Sequence, residues 1–162
     1  MSEATFFLFK ALMDVFTLGV VFNFLFRVLK VDYYNPLVQG IIRAVDLPSQ
    51  FLRNFIRPIK NIDLSSFIVA IFIQAGAFYL AAIAGSIEYE PFKILMWSTY
   101  SVILLMLKMI WWILLGGIIL SFVAGTNFHP AIVLIRQMSD TLFSPFRVFL
   151  PPMGGLDFSP IF

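Results

Sequence analysis

Asp14 and Lys108 are the ionisable side chains set deepest in the long apolar runs of this chain, and they stand 94 positions apart. A charge at mid-membrane costs roughly 2.5–3.5 kcal/mol on insertion scales, so each needs a partner or water. Two readings are open. In one, the two form an intramembrane ion pair near an internal symmetry axis, where an ion pathway could run. In the other, Asp14 pairs with Lys10 one turn earlier on its own helix, and Lys108 is met by carbonyls or by another protein.

No other residue set offers chemistry as concrete. His129 is the single histidine and cysteine is absent. A lone imidazole without thiolates or clustered carboxylates makes a poor metal site, so a capping role is expected. Neither a carboxylate pair nor a nucleophile–base spacing nor a phosphate-binding glycine loop is visible, and Gly154-Gly155 reads as a turn. The expectation is a protein that is not an enzyme and holds no metal or cofactor.

The elements that must position these residues are membrane elements. Hydrophobic residues make up 60% of the 162 and charged residues 12%, with a mean hydropathy of +0.94. A soluble domain has about 45–50% and 25% respectively. The net charge of +2 is too small to argue for nucleic acid. Three stretches reach the roughly 20 residues that cross a bilayer as a helix. They cover 5–29, interrupted by Lys10, Asp14 and Asn23; 66–87, with Gln74; and 92–124, with Lys108. Lipid offers the backbone no hydrogen-bond partners, so the spans are predicted to be helical. Met-Ser-Glu-Ala-Thr lacks a cationic signal-peptide start and is not an organelle transit sequence. The first run is therefore read as a retained span of a bacterial protein.

Charge orients the spans. Arg27, Lys30, Arg43, Arg53, Arg57 and Lys60 lie between the first two, and Arg136 and Arg147 follow the third. The link between the second and third is Glu88-Tyr89-Glu90-Pro91. Basic residues gather on the cytoplasmic side, which places both long loops there and the 88–91 turn outside. In the first loop, Asn35-Pro36 opens a helix with Leu37, Val38, Ile41, Ile42 and Val45 opposite Gln39, Arg43 and Asp46. A second short amphipathic stretch, carrying Phe51, Leu52, Phe55 and Ile56, is expected after Pro48.

The chain repeats itself without a gap at an offset of 94. Pro36 falls on Pro130, Asp46 on Asp140, Arg53 on Arg147, Pro58 on Pro152, Asp63 on Asp157 and Ser65 on Ser159. The expected architecture is an all-α integral membrane protein of two parallel repeats, 5–87 and 92–162. Each copy is read as span, amphipathic hairpin, span, with the fourth span lying beyond Phe162. The recurring Arg53/Arg147 and Asp63/Asp157 are expected to fix each loop to the next span by capping and salt bridges, or else to meet anionic lipid. Ala77, Ala81 and Gly85 form a small-residue ridge for helix packing, internal or between copies. Trp97, Trp111, Trp112 and the phenylalanines are read as lipid-facing or packing residues.

The signatures Asn35-Pro36, Asp63-Leu64-Ser65, His129-Pro130, Ser144-Pro145-Phe146-Arg147, Leu150-Pro151-Pro152 and Gly154-Gly155-Leu156-Asp157-Phe158-Ser159-Pro160 resemble the YggT family, also called YlmG. The second copy carries the more specific match. In the first, Gln50-Phe51 stands where the second has Ser144-Pro145, and Lys60-Asn61 replaces Gly154-Gly155. The resemblance implies a small multi-pass inner-membrane protein without known catalytic activity, whose relatives are linked to membrane-complex assembly, division-related processes and osmotic or ion stress. Its implied partners are membrane lipids and other membrane proteins or further copies of itself. An oligomeric ion transporter or channel subunit is the competing expectation, motivated by Asp14 and Lys108. A transport path usually asks for broken helices and more polar residues at the midplane.

Overall fold

The computed structural model describes residues 3–53, 63–85, 87–123 and 129–146, and every regular element among them is a helix. In order these are α1 (Glu3–Val28), α2 (Pro36–Arg53), α3 (Leu64–Ile83), α4 (Pro91–Val123) and α5 (Pro130–Phe143). The repeat positions Pro58, Arg147, Pro152, Asp157 and Ser159 lie outside the described residues, as does the side chain of Arg53.

Three helices are long and apolar enough to cross a membrane, covering Ala4–Val28, Leu64–Ile83 and Pro91–Phe122. Their outward faces are hydrocarbon and aromatic: Phe7 and Leu12 on α1, Phe72 on α3, Leu107 and Trp112 on α4 are all exposed. Such faces suit lipid as solvent, because only the backbone needs internal hydrogen bonds there. α1 packs chiefly on α3, α3 on α4, α2 on α1 and α5 on α4. The core gathers around the C-terminal half of α1, where Val20, Leu25 and Phe26 meet Val38 and Val45 of α2, Val69 of α3, Val102 of α4 and Met138 of α5.

Local signals set the helix ends. α1 stops in a Schellman turn: Lys30 takes a left-handed φ of 53°, its N–H donates to Arg27 O, and Val31 N–H donates to Phe26 O at 2.9 Å. Phe26 and Val31 are both buried and supply the apolar contact this motif favours. α2 and α5 both begin at a proline preceded by a capping side chain. Asn35 Oδ1 accepts from Leu37 N–H at 3.0 Å, and His129 Nδ1 accepts from Ala131 N–H at 3.3 Å.

Three expectations need correction. α2 runs on through Pro48 to Arg53 as one helix, without a break into two short stretches. A proline removes only one backbone donor, and the helix continues past it. Asp46 was expected on the polar outer face of α2; it is buried, because α1 presents polar groups to it. Gly85 lies beyond the end of α3 with a φ of 75° and so does not extend the Ala77–Ala81 ridge. Its N–H donates to Ala82 O, and it turns the chain out of the helix, a left-handed position that glycine occupies without strain. Ala77 and Ala81 themselves are buried inside the molecule.

Glycine also sets how closely α2 and α5 approach their spans. A Cβ on Gly19 of α1 would meet Val45 Cγ1 at 2.7 Å, and one on Gly117 of α4 would meet Ser139 Cβ at 2.4 Å. Val45 and Ser139 are equivalent positions at the 94-residue offset.

Candidate functional site

Among the described residues, two polar clusters interrupt the apolar interior. The first lies at the C-terminal end of α1. Asn23 and Arg27 sit one turn apart, so both face the junction of α2 with the start of α3. Asn23 Nδ2 donates to Asp46 Oδ1 at 3.1 Å, and Gln50 Nε2 donates to Asp46 Oδ2 at 2.9 Å. Arg27 reaches both acids, with Nε 3.3 Å from Asp63 Oδ2 and Nη2 3.8 Å from Asp46 Oδ1. Asp63 is wholly buried and caps α3, accepting from Ser66 N–H at 3.4 Å and Ser66 Oγ at 2.9 Å.

This arrangement joins three helices through one guanidinium. Arg27 Nε makes a charge contact without hydrogen-bond geometry, and Asn23 Oδ1 is likewise buried without a donor. The capping role expected of Asp63 is present. Its ion-pair partner, Arg27, went unrecognised in the sequence, where it was counted only as one cation of a loop. The signal was there as Asn23 and Arg27 on one face at the end of a span.

Neighbouring contacts tie α5 to the same end. Asn35 Nδ2 donates to Pro130 O at 2.8 Å. Asp32 N–H donates to Gln137 Oε1 at 3.3 Å, and the Thr141 hydroxyl lies 3.2 Å from Leu29 O and 2.9 Å from Gln137 O, sharing its one proton between them.

The second cluster lies halfway along the three long helices. Asp14, Thr17, Gln74, Ser101 and Lys108, with Leu104 and Leu105, line a cavity of about 180 Å³ between α1, α3 and α4. Gln74, near the centre of the 20-residue α3, stands roughly 15 Å from either end at 1.5 Å per residue. Its Nε2 donates to Asp14 Oδ1 at 3.5 Å and to Ser101 Oγ at 3.4 Å. Thr17 Oγ1 lies 2.8 Å from Met13 O and 3.3 Å from Gln74 Oε1.

Asp14 and Lys108 therefore share one cavity, but they do not form the direct ion pair. Asp14 Oδ2 takes its salt bridge from Lys10 at 2.7 Å. The local partner wins because residues four apart on a helix are already neighbours, whereas Lys108 stands across a cavity. Among the described residues, Lys108 makes no hydrogen bond or ion pair. No group of three or more His, Cys, Asp or Glu stands together among those residues. Both clusters can hold charge and orient hydrogen bonds.

The model of the CCB3/YggT family matches residues 2–84 and 96–162. An uncharacterized protein of Pseudomonas aeruginosa is 35% identical over 100% of this chain and 83% of its own length. The uncharacterized protein YggT of Escherichia coli is 30% identical over 96% of this chain and 80% of its own length. A protein of Vibrio alginolyticus, described by its place in the proC 3' region, is 29% identical over 94% and 83%. No solved structure matches the chain.

Proposed function

This chain belongs to the CCB3/YggT family, and from that premise we propose that it is a non-enzymatic multi-pass protein of the bacterial inner membrane. It supports the assembly or organisation of other membrane components, with osmotic stress as the condition of greatest demand. That role follows from the resemblance and from how the chain spends its polar groups. The cluster around Arg27 and the contacts of Asn35 and Thr141 hold helix to helix.

The observation that carries the reading is an apolar stripe on α4. Trp97, Tyr100, Ile103, Leu107 and Trp111 recur every three or four residues, and all are exposed. Aromatic residues are enriched at protein interfaces and at the bilayer surface. We assign this stripe to another membrane protein or a further copy of the chain, with lipid covering the remainder.

The repeat belongs to the same proposal. Helix starts at Pro36 and Pro130 are 94 residues apart, each follows a capping side chain, and each helix docks on a glycine of its preceding span. These correspondences support a duplication in which α2 and α5 are amphipathic helices at the cytoplasmic surface.

Photo-crosslinking in cells tests the assembly role. A benzophenone-bearing residue in place of Tyr100 should give one defined protein adduct, and the same probe in place of Phe72 on α3 should not. Lipid adducts alone at Tyr100 would reject it. The transporter reading has one observation in its favour, the polar cavity at the middle of the spans. Ion flux in liposomes holding the purified protein decides it.

A further inference from the structure

The cavity between α1, α3 and α4 is not symmetric in what it offers a guest. Its acceptors are already engaged. Asp14 Oδ2 holds Lys10 and Asp14 Oδ1 faces Gln74. The Thr17 proton is taken by Met13 O or by Gln74 Oε1, and both Gln74 amide protons have acceptors. The groups left without a partner are donors. Ser101 Oγ accepts from Gln74, which leaves its own proton to give, and the Lys108 ammonium has three.

Charge points the same way. The Asp14 carboxylate of the lining is held by Lys10 from outside it, so the Lys108 ammonium is the charged group of the lining left without an ion pair midway through the spans. A cation in that place requires a counter-charge or water. The walls added by Leu104 and Leu105 give little back to an ion that must shed a tightly held hydration shell.

We propose that this cavity is a binding site for a small, weakly hydrated monovalent anion such as chloride or nitrate, held by Lys108 and Ser101. The pocket is partly open, with Lys108 exposed at its edge, and about 180 Å³ accommodates such an ion with a few waters. Gluconate is too bulky, and sulfate too strongly hydrated. Lys108 supplies the charge and Ser101 fixes the anion against α4, while Gln74 positions Ser101. The site is independent of whether the α4 stripe binds a partner.

The test uses the full chain, purified in neutral detergent and in zwitterionic nanodiscs so that no anionic lipid contributes. Its melting temperature is followed as sodium nitrate or sodium chloride replaces sodium gluconate at constant ionic strength. The expected result is a saturating rise of several degrees in the wild type. Lys108→Met should lose the saturating component, Lys108→Arg should keep it, and Ser101→Ala should weaken the midpoint about tenfold, the scale of one hydrogen bond to a charged group. Line broadening of the chloride-35 resonance by the wild type, reversed by nitrate and not by gluconate, gives a readout that needs no variant. A linear salt effect shared by wild type and Lys108→Met, or no broadening that nitrate reverses, would overturn the proposal. The first outcome would mean bulk salt only, and the second a cavity that holds water or awaits an acidic side chain of another protein.

Discussion

The Asn35 side chain does two jobs at once: its oxygen caps α2 at Leu37 N–H, and its nitrogen donates to Pro130 O at 2.8 Å. The N-terminus of α2 is thereby fastened to the N-terminus of α5. The two functions separate by substitution. Asn35→Ala should cost about 1 kcal/mol for the lost cap alone and more for the freed carbonyl. Asn35→Asp keeps the cap and loses the donor, so its melting temperature should fall between wild type and Asn35→Ala. An Asp variant as unstable as the Ala variant would place all the value in the tie to α5.

Arg27 should be the least replaceable charge in the described chain. Arg27→Met takes the guanidinium away from Asp63, which is fully buried, and from Asp46 beside it. Removing one partner of a buried pair costs roughly 3–5 kcal/mol. Thermal denaturation of Arg27→Met, Asp63→Asn and the double variant should show the double losing clearly less than the sum. Strict additivity would mean the two groups do not interact.

The glycine contacts predict opposite signs at two sites. Gly117→Ala drives a methyl into Ser139 and should destabilise by about 1–3 kcal/mol, as overpacking does. Gly40 lies within α2 with nothing in the way of a Cβ. Gly40→Ala should gain roughly 0.5–1 kcal/mol from helix propensity. Melting temperatures of the two variants in the same detergent compare them directly.

Lys30 pays for its left-handed backbone. At a φ of 53° in the turn that ends α1, a side chain costs roughly 1–2 kcal/mol relative to the right-handed region. Lys30→Gly should therefore raise the melting temperature. A fall would show that the ammonium itself is in use.

The proposed topology is accessible because the chain has no cysteine of its own. Tyr34 and Tyr89 are both well exposed. A membrane-impermeant maleimide added to intact spheroplasts should label Tyr89→Cys and spare Tyr34→Cys. The reverse pattern would invert every span.

The three long helices were legible because lipid permits few alternatives: an uninterrupted apolar run must satisfy its own backbone. The starts of α2 and α5 were legible for a local reason, a capping side chain followed by proline, and His129 caps as its type and place suggested. What the sequence hid depends on neighbours. The direction Asp46 faces is decided by Asn23, from another helix. Gly85 reads as one more small residue at four-residue spacing until the end of α3 is known. The partner of Asp14 could not be chosen from spacing, since Lys10 and Lys108 each met one rule, proximity on a helix or the repeat offset. Pro48 read as a boundary, since the residue before a proline resists helical geometry, yet α2 carries on past it.

The contact between Arg27 and Asp63 also has an order in time. Arg27 leaves the ribosome before either carboxylate that will face it, and at about 5–20 residues per second the wait is on the order of seconds. In the proposed topology, an unneutralised cation at the end of α1 would then bias which way that span settles. When Asp63 arrives, the same guanidinium fastens the start of α3. In that topology one side chain would act first as a signpost for insertion and then as a latch, and the latch would close only on a chain whose first turnings were correct.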